Sequence, residues 1–427
     1  MLPFPIGETD IHKEQFLILP EHKRRHCAIF GKSGVGKSTL LRNMIAWDIQ
    51  EGLGVTVLDP HGGLIDDLLE LIPKNRTNDV IYFNPQEPNH TLGINILESV
   101  SKDQHPLVVS SVINILKNIW ITAWGARTEF ILSNATSALL SQPQPQTLVA
   151  LPKLLTNSKY REKILAHVTD PAVEWFFDLY DNHWNTKFRE EAISPLLNKV
   201  NKFITNPLLR DVIGQPRSSF DFRWAMDNNK IILCNLAKGA LGDDVSSLLG
   251  SLILTKISLS ALSRQDTPEH KRPLHVLYAD EVQNFTHGVD FPTVLSEARK
   301  YHLALTIATQ TLSQLPSLTL SAVFGNCATI ISYRVSGEDA DALQTEFATM
   351  LPARLLQDLP DFKLYIRTLM NDVHGATKPH EPKLVKALPP LTADDTNTRE
   401  NVIRTSLQRF SRPRAEVEAK LNRFIRA

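Results

Sequence analysis

The stretch His26-Cys27-Ala28-Ile29-Phe30-Gly31-Lys32-Ser33-Gly34-Val35-Gly36-Lys37-Ser38-Thr39 decides the fold. An apolar run, a glycine turn of the form GxxxxGK[ST] and a helical stretch from Thr39 to Ile49 follow one another in the order of a Walker A loop. The residue types suit a phosphate cradle. Glycines let backbone N–H groups wrap an anion, and the helix N-terminus adds positive potential. Gly31, Ser33, Gly34, Val35, Gly36, Lys37, Ser38 and Thr39 are therefore the expected ATP-binding residues. Lys37 would reach the β and γ phosphates, and the Ser38 hydroxyl would ligate Mg²⁺. The bland alternative, an ordinary glycine turn, does not require a strand before it and a helix after it.

Such a loop needs a partner strand that holds the metal and activates water. Leu274-His275-Val276-Leu277-Tyr278-Ala279-Asp280-Glu281 supplies one, an apolar run ending in two acids. At the C-terminal edge of a parallel sheet these carboxylates would meet the ligand. Asp280 would hold Mg²⁺ through water, and Glu281 would orient and deprotonate the attacking water. Adjacent acids after a strand also serve as helix caps or solvated turns.

Strand and helix patterns alternate around both motifs. His26 to Phe30, Lys37 to Ile49, Gly54 to Asp59, Leu64 to Ile72 and Val80 to Phe83 predict a parallel, doubly wound layout. From about Glu98 to Ile213 the strand signal gives way to helical spacing, with Val112, Ile115, Leu116 and Ile119 on one face. The aromatics Trp120, Trp124, Trp175, Phe176 and Phe177 in this stretch suit the core of a small helical domain, or a base-stacking platform. Alternation resumes with Lys230 to Leu236 and a helix from Asp244 to Leu262. A polar segment, Ser263 to Arg272, reads as a linker. A helix from Val289 to Tyr301, a strand from Leu303 to Ala308 and a strand from Ala328 to Tyr333 follow. Gln310 sits where a strand end meets the nucleotide. It would sense the γ phosphate or hydrogen-bond the attacking water, or else anchor a loop.

The expected division is residues 1–97 and 214–387 as a nucleotide-binding domain, 98–213 as an inserted all-α domain, and 388–427 as a basic helical tail. In the tail, Ile403, Leu407, Phe410, Val417, Leu421 and Phe424 recur at helical spacing with arginines between them. Such helices grip phosphates or pack on their own domain with solvated arginines. Formal net charge is zero, so attraction to a polyanion would have to be local. Cys27, Cys234 and Cys327 fall in or beside apolar runs without CxxC spacing, which suits a reducing cytosol. The apolar stretches Val108 to Trp124 and Val245 to Leu262 are interrupted by Lys117 and Lys256, so no bilayer span is expected.

Several motifs together resemble the coupling ATPases of conjugation and type IV secretion, within the HerA and FtsK group of RecA-like hexameric motors. They are Leu58-Asp59-Pro60-His61-Gly62-Gly63, Ile81 to Pro85, Trp124-Gly125-Ala126-Arg127, Ala279 to Phe285, Leu295 to Lys300 and Ile330 to Ala340. The resemblance spans roughly residues 24 to 380. It implies a RecA-like P-loop ATPase core with a parallel-rich sheet, an all-α insertion, and a homohexamer that pulls DNA through its channel with ATP sites between subunits. It also implies a transition-state arginine from the neighbouring subunit. Arg299, in Glu-Ala-Arg-Lys, and Arg334, in Tyr-Arg-Val-Ser, compete for that role, and either could be a surface ion-pair partner.

Fewer than thirty residues precede Phe30, so the membrane anchor usual before the motor in the coupling proteins is not expected here. Cytoplasmic placement, with any docking at the inner membrane through a partner, is the expectation. A relaxase, a membrane channel or a nuclease are the candidate partners besides DNA. Two other functions fit the same motifs: a secretion ATPase that drives protein export, and a HerA-type translocase that serves a nuclease in defence or repair.

Overall fold

The computed structural model describes residues 2–10, 13–98, 102–119, 124–286, 289–347, 351–371, 377–392 and 398–426. Its strands are β1 (Phe4–Thr9), β2 (Gln15–Ile18), β3 (Cys27–Phe30), β4 (Gly54–Asp59), β5 (Val80–Phe83), β6 (His90–Thr91), β7 (Ile231–Asn235), β8 (His275–Ala279), β9 (Leu303–Thr309), β10 (Thr329–Ser332), β11 (Lys363–Asn371), β12 (Thr377–Pro379), β13 (Lys383–Ala387) and β14 (Arg412–Pro413). Twelve of them form one sheet in the order β2-β1-β13-β11-β10-β3-β9-β8-β4-β7-β5, with β12 on β11. From β10 to β5 every pairing is parallel. From β10 outward to β2 every pairing is antiparallel. The sheet is thus doubly wound only in part, and the antiparallel flank is absent from the sequence reading.

Alternation explains how the parallel half is covered on both faces. Cys27 and Ile29 turn to one core and Ala28 and Phe30 to the other; Val55 and Val57 likewise oppose Leu58. Helices Lys37–Gln50 and Gly63–Glu70 cover the first face with Leu41, Ile45, Ile65 and Leu68. The long helix Asp243–Ser263 covers the second with Leu249, Leu252 and Ile253. Each such side chain, fully buried, stabilises by roughly 1.5–3 kcal/mol. A buried polar knot crosses the first face. Tyr278 of β8 donates to Asp48 of helix Lys37–Gln50 at 2.6 Å, and Lys23 donates to the same carboxylate.

Between β6 and β7 the described residues are helical, from His105–Ile119 to Pro207–Ile213. Val112, Ile115 and Leu116 are buried, and Phe176 and Phe177 pack edge-on at 4.9 Å within an aromatic cluster that includes Tyr180 and Trp184. Trp175 departs from expectation and is 60% exposed, because it lies on the helix face opposite Phe176 and Phe177. Trp120 lies outside the described residues.

Two other expectations are corrected. Ser263–Arg272, read as a linker or exposed loop, is largely exposed but not free: Arg264 is fully buried, donating to Asp227 at 2.9 Å and to the carbonyls of Pro273 and Tyr301. The charge of Arg264 is what pins it. The helix at Val245 to Leu262 is, by length and composition alone, apolar enough to span a bilayer; it is largely buried in the core instead. The expected helix Val289 to Tyr301 forms as Phe291–Glu297, tightening to a 3₁₀ turn over Ala298–Tyr301.

The described residues of the tail are tied down at both helices. Helix Thr398–Phe410 packs on β5 and on helix Gly63–Glu70, with the Ser406 hydroxyl accepting from the Tyr82 N–H at 2.7 Å. β14 then pairs with β6, and helix Arg414–Arg426 packs on Pro207–Ile213. Arg414 is not solvated: it donates to Asp211 at 2.7 Å and to the carbonyls of Pro85 and Glu87 at 2.8 Å. Arg423 and Arg426 remain exposed.

Candidate nucleotide-hydrolysis site

Parallel strands deliver their C-terminal residues to one edge, and register decides which of them meet. Phe30 pairs with Thr309 and Ala279 with Ile307, so Gly31, Asp280 and Gln310 follow their strands onto the same edge. The strand that carries Gln310, β9, lies between the two strands that carry the P-loop and the acids.

The loop Gly31–Gly36 has the backbone that its glycines foretell. Gly34 and Gly36 have φ of 80° and 114°, left-handed values that L side chains rarely adopt. A Cβ at Gly36 would also stand 3.1 Å from the Phe362 ring. Lys37 is buried and donates to the carbonyls of Gly31 at 2.5 Å and Lys32 at 2.9 Å. Burial lowers its pKa, and Glu281 and Asp280 oppose that shift. Ser33 and Gly34 are exposed, Val35 is buried behind the loop, and Ser38 and Thr39 lie in the first helical turn with Ser38 exposed.

Asp280 is buried, and its pKa is raised to about 6 by desolvation first, then by the negative charges of Glu281 and Asp59. One of its oxygens accepts the Glu281 N–H at 3.0 Å. Glu281 has φ of 46°, a left-handed conformation that costs a bulky residue on the order of 1 kcal/mol and recurs at functional sites. Both of its oxygens are held, Oε1 by the Gln310 amide at 2.7 Å and Oε2 by the Gln283 amide at 2.7 Å. Gln283 donates in turn to Gln314. A carboxylate clamped by two donors is held in one orientation.

Asp59 turns out to be a scaffold group, accepting the N–H of His61 at 2.8 Å and of Ile65 at 3.1 Å, while the His61 side chain is exposed. Its charge still acts on Asp280.

The two arginines part company. Arg334 follows β10 at the P-loop edge, where its carbonyl accepts the Lys32 N–H at 2.8 Å. Its guanidinium is engaged by Asp361 at 2.7 Å and the Leu359 carbonyl at 3.1 Å. Arg299 precedes β9, at the opposite edge of the sheet, exposed in a cleft with Glu21, Arg24 and His302. One protomer therefore does not bring both arginines to one site. Sequence reasoning missed Gln283, Asp361 and Phe362. Gln283 lies inside a quoted motif without a role, and the other two follow no motif.

Among the described residues no cluster of three His, Cys, Asp or Glu could hold a metal alone. Mg²⁺ does not require one, since it keeps waters and takes phosphate oxygens. The buried, half-satisfied carboxylate of Asp280 and the exposed Ser38 hydroxyl fit such an ion bound with a nucleotide.

A glycine cradle at a strand–helix junction, acids two strands away and an intervening strand ending in glutamine define a RecA-like P-loop fold. The chain belongs to the family described as helicase HerA, central domain, whose profile matches residues 17–257. A second profile, described as the TraM recognition site of TraD and TraG, matches residues 274–350. No curated protein sequence matches the chain. Among solved structures, it is similar to the conjugative coupling protein TrwB in an unbound form (TM-score 0.60, 14% identity, covering 93% of this chain and 90% of that one). It is similar also to TrwB bound to ADP and Mg²⁺ (0.59, 15%, 94% and 96%) and to VirB4 of Thermoanaerobacter pseudethanolicus (0.54, 15%, 90% and 96%). At these identities the likeness is one of fold. The resemblance to coupling ATPases read from the motifs is borne out.

Proposed function

We propose that the chain is an ATP-hydrolysing motor that moves DNA through a homohexameric ring in conjugative or type IV transfer. Residues 1–97 and 214–387 form the motor, 98–213 a helical insertion and 388–427 the tail. The observation that carries the reading is the meeting of Lys37, Asp280, Glu281 and Gln310 at one sheet edge, with Glu281 clamped by two amides. Lys37 would hold the β and γ phosphates, and Ser38 and Asp280 the Mg²⁺ that offsets phosphate charge. Glu281 would take the proton of the attacking water. Gln310 would exchange Glu281 for the γ phosphate and so time the attack.

Arg299 is the better candidate for the arginine supplied to a neighbour. It is exposed and has no ion pair among the described residues, whereas Arg334 is held by Asp361 beside its own P-loop. A relaxase or channel protein would bring the motor to its DNA from the cytoplasm. The test is ATPase rate against protein concentration, with and without single- and double-stranded DNA, using Lys37→Ala and Glu281→Gln as controls. Cooperative activity that rises with DNA and disappears in both variants is the expected result. Activity indifferent to DNA at low salt would transfer the proposal to a secretion ATPase driven by protein partners.

A further inference from the structure

The sheet order gives the bound nucleotide a direction. The acids that serve the γ phosphate and its metal end β8, two strands from β3 on one side; β10 and β11 lie on the other. A triphosphate in the P-loop with its γ end toward Asp280 must carry its nucleoside end toward β10 and β11.

Phe362 stands on that side, immediately before β11. Its N–H donates to the carbonyl of Val35 in the P-loop at 3.0 Å, and its carbonyl accepts the Ala387 N–H at 2.9 Å. The backbone is thereby fixed at φ 63°, unfavourable for a bulky residue. The ring lies against Gly36, yet Phe362 is 51% exposed. Neither core packing nor backbone preference accounts for a phenylalanine here: glycine would suit the φ better, and a polar residue would suit the exposure. Tyr333 backs the same glycine, its ring 3.4 Å from where a Gly36 Cβ would be. Its buried hydroxyl has no hydrogen-bond partner among the described residues.

We infer that Phe362 is the wall on which the base of the bound nucleotide stacks, and that this wall accepts adenine and guanine alike. The inference rests on the nucleotide-binding reading above. An aromatic ring offers its face to any base and reads no hydrogen-bonding edge, so it contributes affinity without selectivity. Loss of one such stack corresponds to about a ten- to hundredfold weaker Kd.

The test is calorimetric titration of the full-length protein with Mg²⁺ and ADP, GDP or inorganic tripolyphosphate, comparing wild type with Phe362→Ala, Phe362→Gly and Phe362→Trp. The expected result has ADP and GDP within severalfold of each other for wild type. Both weaken about ten- to hundredfold in the Ala and Gly variants and recover with Trp, while tripolyphosphate is unchanged throughout. Phe362→Gly also keeps its melting temperature, because glycine tolerates the φ, and this separates lost stacking from lost folding. Unchanged ADP affinity in Phe362→Gly, or an equal loss of tripolyphosphate, would overturn the base wall alone. Failure of wild type to bind any of the three ligands would overturn the nucleotide reading beneath it.

Discussion

The two edges of the parallel sheet treat buried polar groups in opposite ways. At the edge where β3, β9, β4 and β8 begin, buried polar groups are neutral or ion-paired and mostly bonded at home, with His275 Nδ1 and one Arg264 Nη left over. His26 lies between the Leu295 carbonyl and the Leu305 N–H, each 2.9 Å away; His275 meets the Thr56 hydroxyl at 2.8 Å; Arg264 grips Asp227 and two carbonyls. Burial drives the histidine pKa values down to about 4 and about 3, so both rings are neutral. Where the strands end, Lys37 and Asp280 are buried close to other charges, and Asp280 is pushed up to about 6. One edge is a scaffold of neutral or ion-paired groups, and the other stores unfavourable electrostatics that Mg²⁺ and phosphate would relieve. A buried polar cluster points to function where it gathers charge that its own chain does not neutralise.

The sharpest contrast to break is between binding and folding. Lys37→Ala should abolish nucleotide binding, by at least a hundredfold in titration, and leave the melting temperature within a few degrees. Arg264→Met should do the reverse, since it takes the donor from two carbonyls and leaves Asp227 with Arg223 alone. A loss of about 1–3 kcal/mol in denaturant unfolding is expected, with nucleotide affinity kept in the fraction that remains folded. An Arg264→Met protein of normal stability would erase the distinction between the edges.

Acidity sharpens the comparison further, because the signs oppose. His26 and His275 have folded pKa values below the ordinary 6.5, so their contribution is present above pH 6.5 and is lost as pH falls toward 4. Asp280 has a folded pKa above its ordinary 3.8, so its contribution is fully present below pH 3.8 and is lost as pH rises through 6. Asp280→Asn should therefore stabilise the nucleotide-free protein at pH 7.5, by at most about 3 kcal/mol for a shift of roughly two units. It should also weaken Mg²⁺-dependent nucleotide binding. Melting curves from pH 5 to 8 for wild type and Asp280→Asn check both signs.

The smallest effect on binding and the most telling for assembly concerns the arginines. Arg299→Ala should leave ADP affinity within about twofold and remove most of the hydrolysis. Mixing it with Lys37→Ala subunits should restore some activity, since intact sites would then receive an arginine from a neighbour. Arg334→Ala should loosen the Asp361 turn and weaken binding by its own subunit, with no rescue on mixing.

The parallel half was legible from sequence because its signals are local. A continuous apolar strand, a glycine turn and a helix start announce β3 and its loop, and Ala279-Asp280-Glu281 announces the end of β8. The antiparallel flank gave no such signal. β1, β11 and β13 carry Glu8, Lys363, Lys383 and Lys386 among their apolar residues, and β1 shifts register between Pro5 and Gly7. Their pairing depends on neighbours far away in the chain. Phe362 was invisible for the same reason, since its place beside the P-loop is created by pairing of β11 with β10 and a hydrogen bond to Val35. Arg264 was misread because charge signals exposure unless its partners are known.

The tail has a mechanical meaning for a motor. Its first helix rests on the sheet through β5, its short strand is zipped to β6, and its last helix grips the helical region through Arg414 and Asp211, with Lys153 reaching the Phe424 carbonyl at 3.0 Å. One continuous segment therefore fastens both bodies. In the motor proposed above, a stroke that swung the helical region against the sheet would pull on this leash, so its length and its two anchor points would set how far the swing could travel.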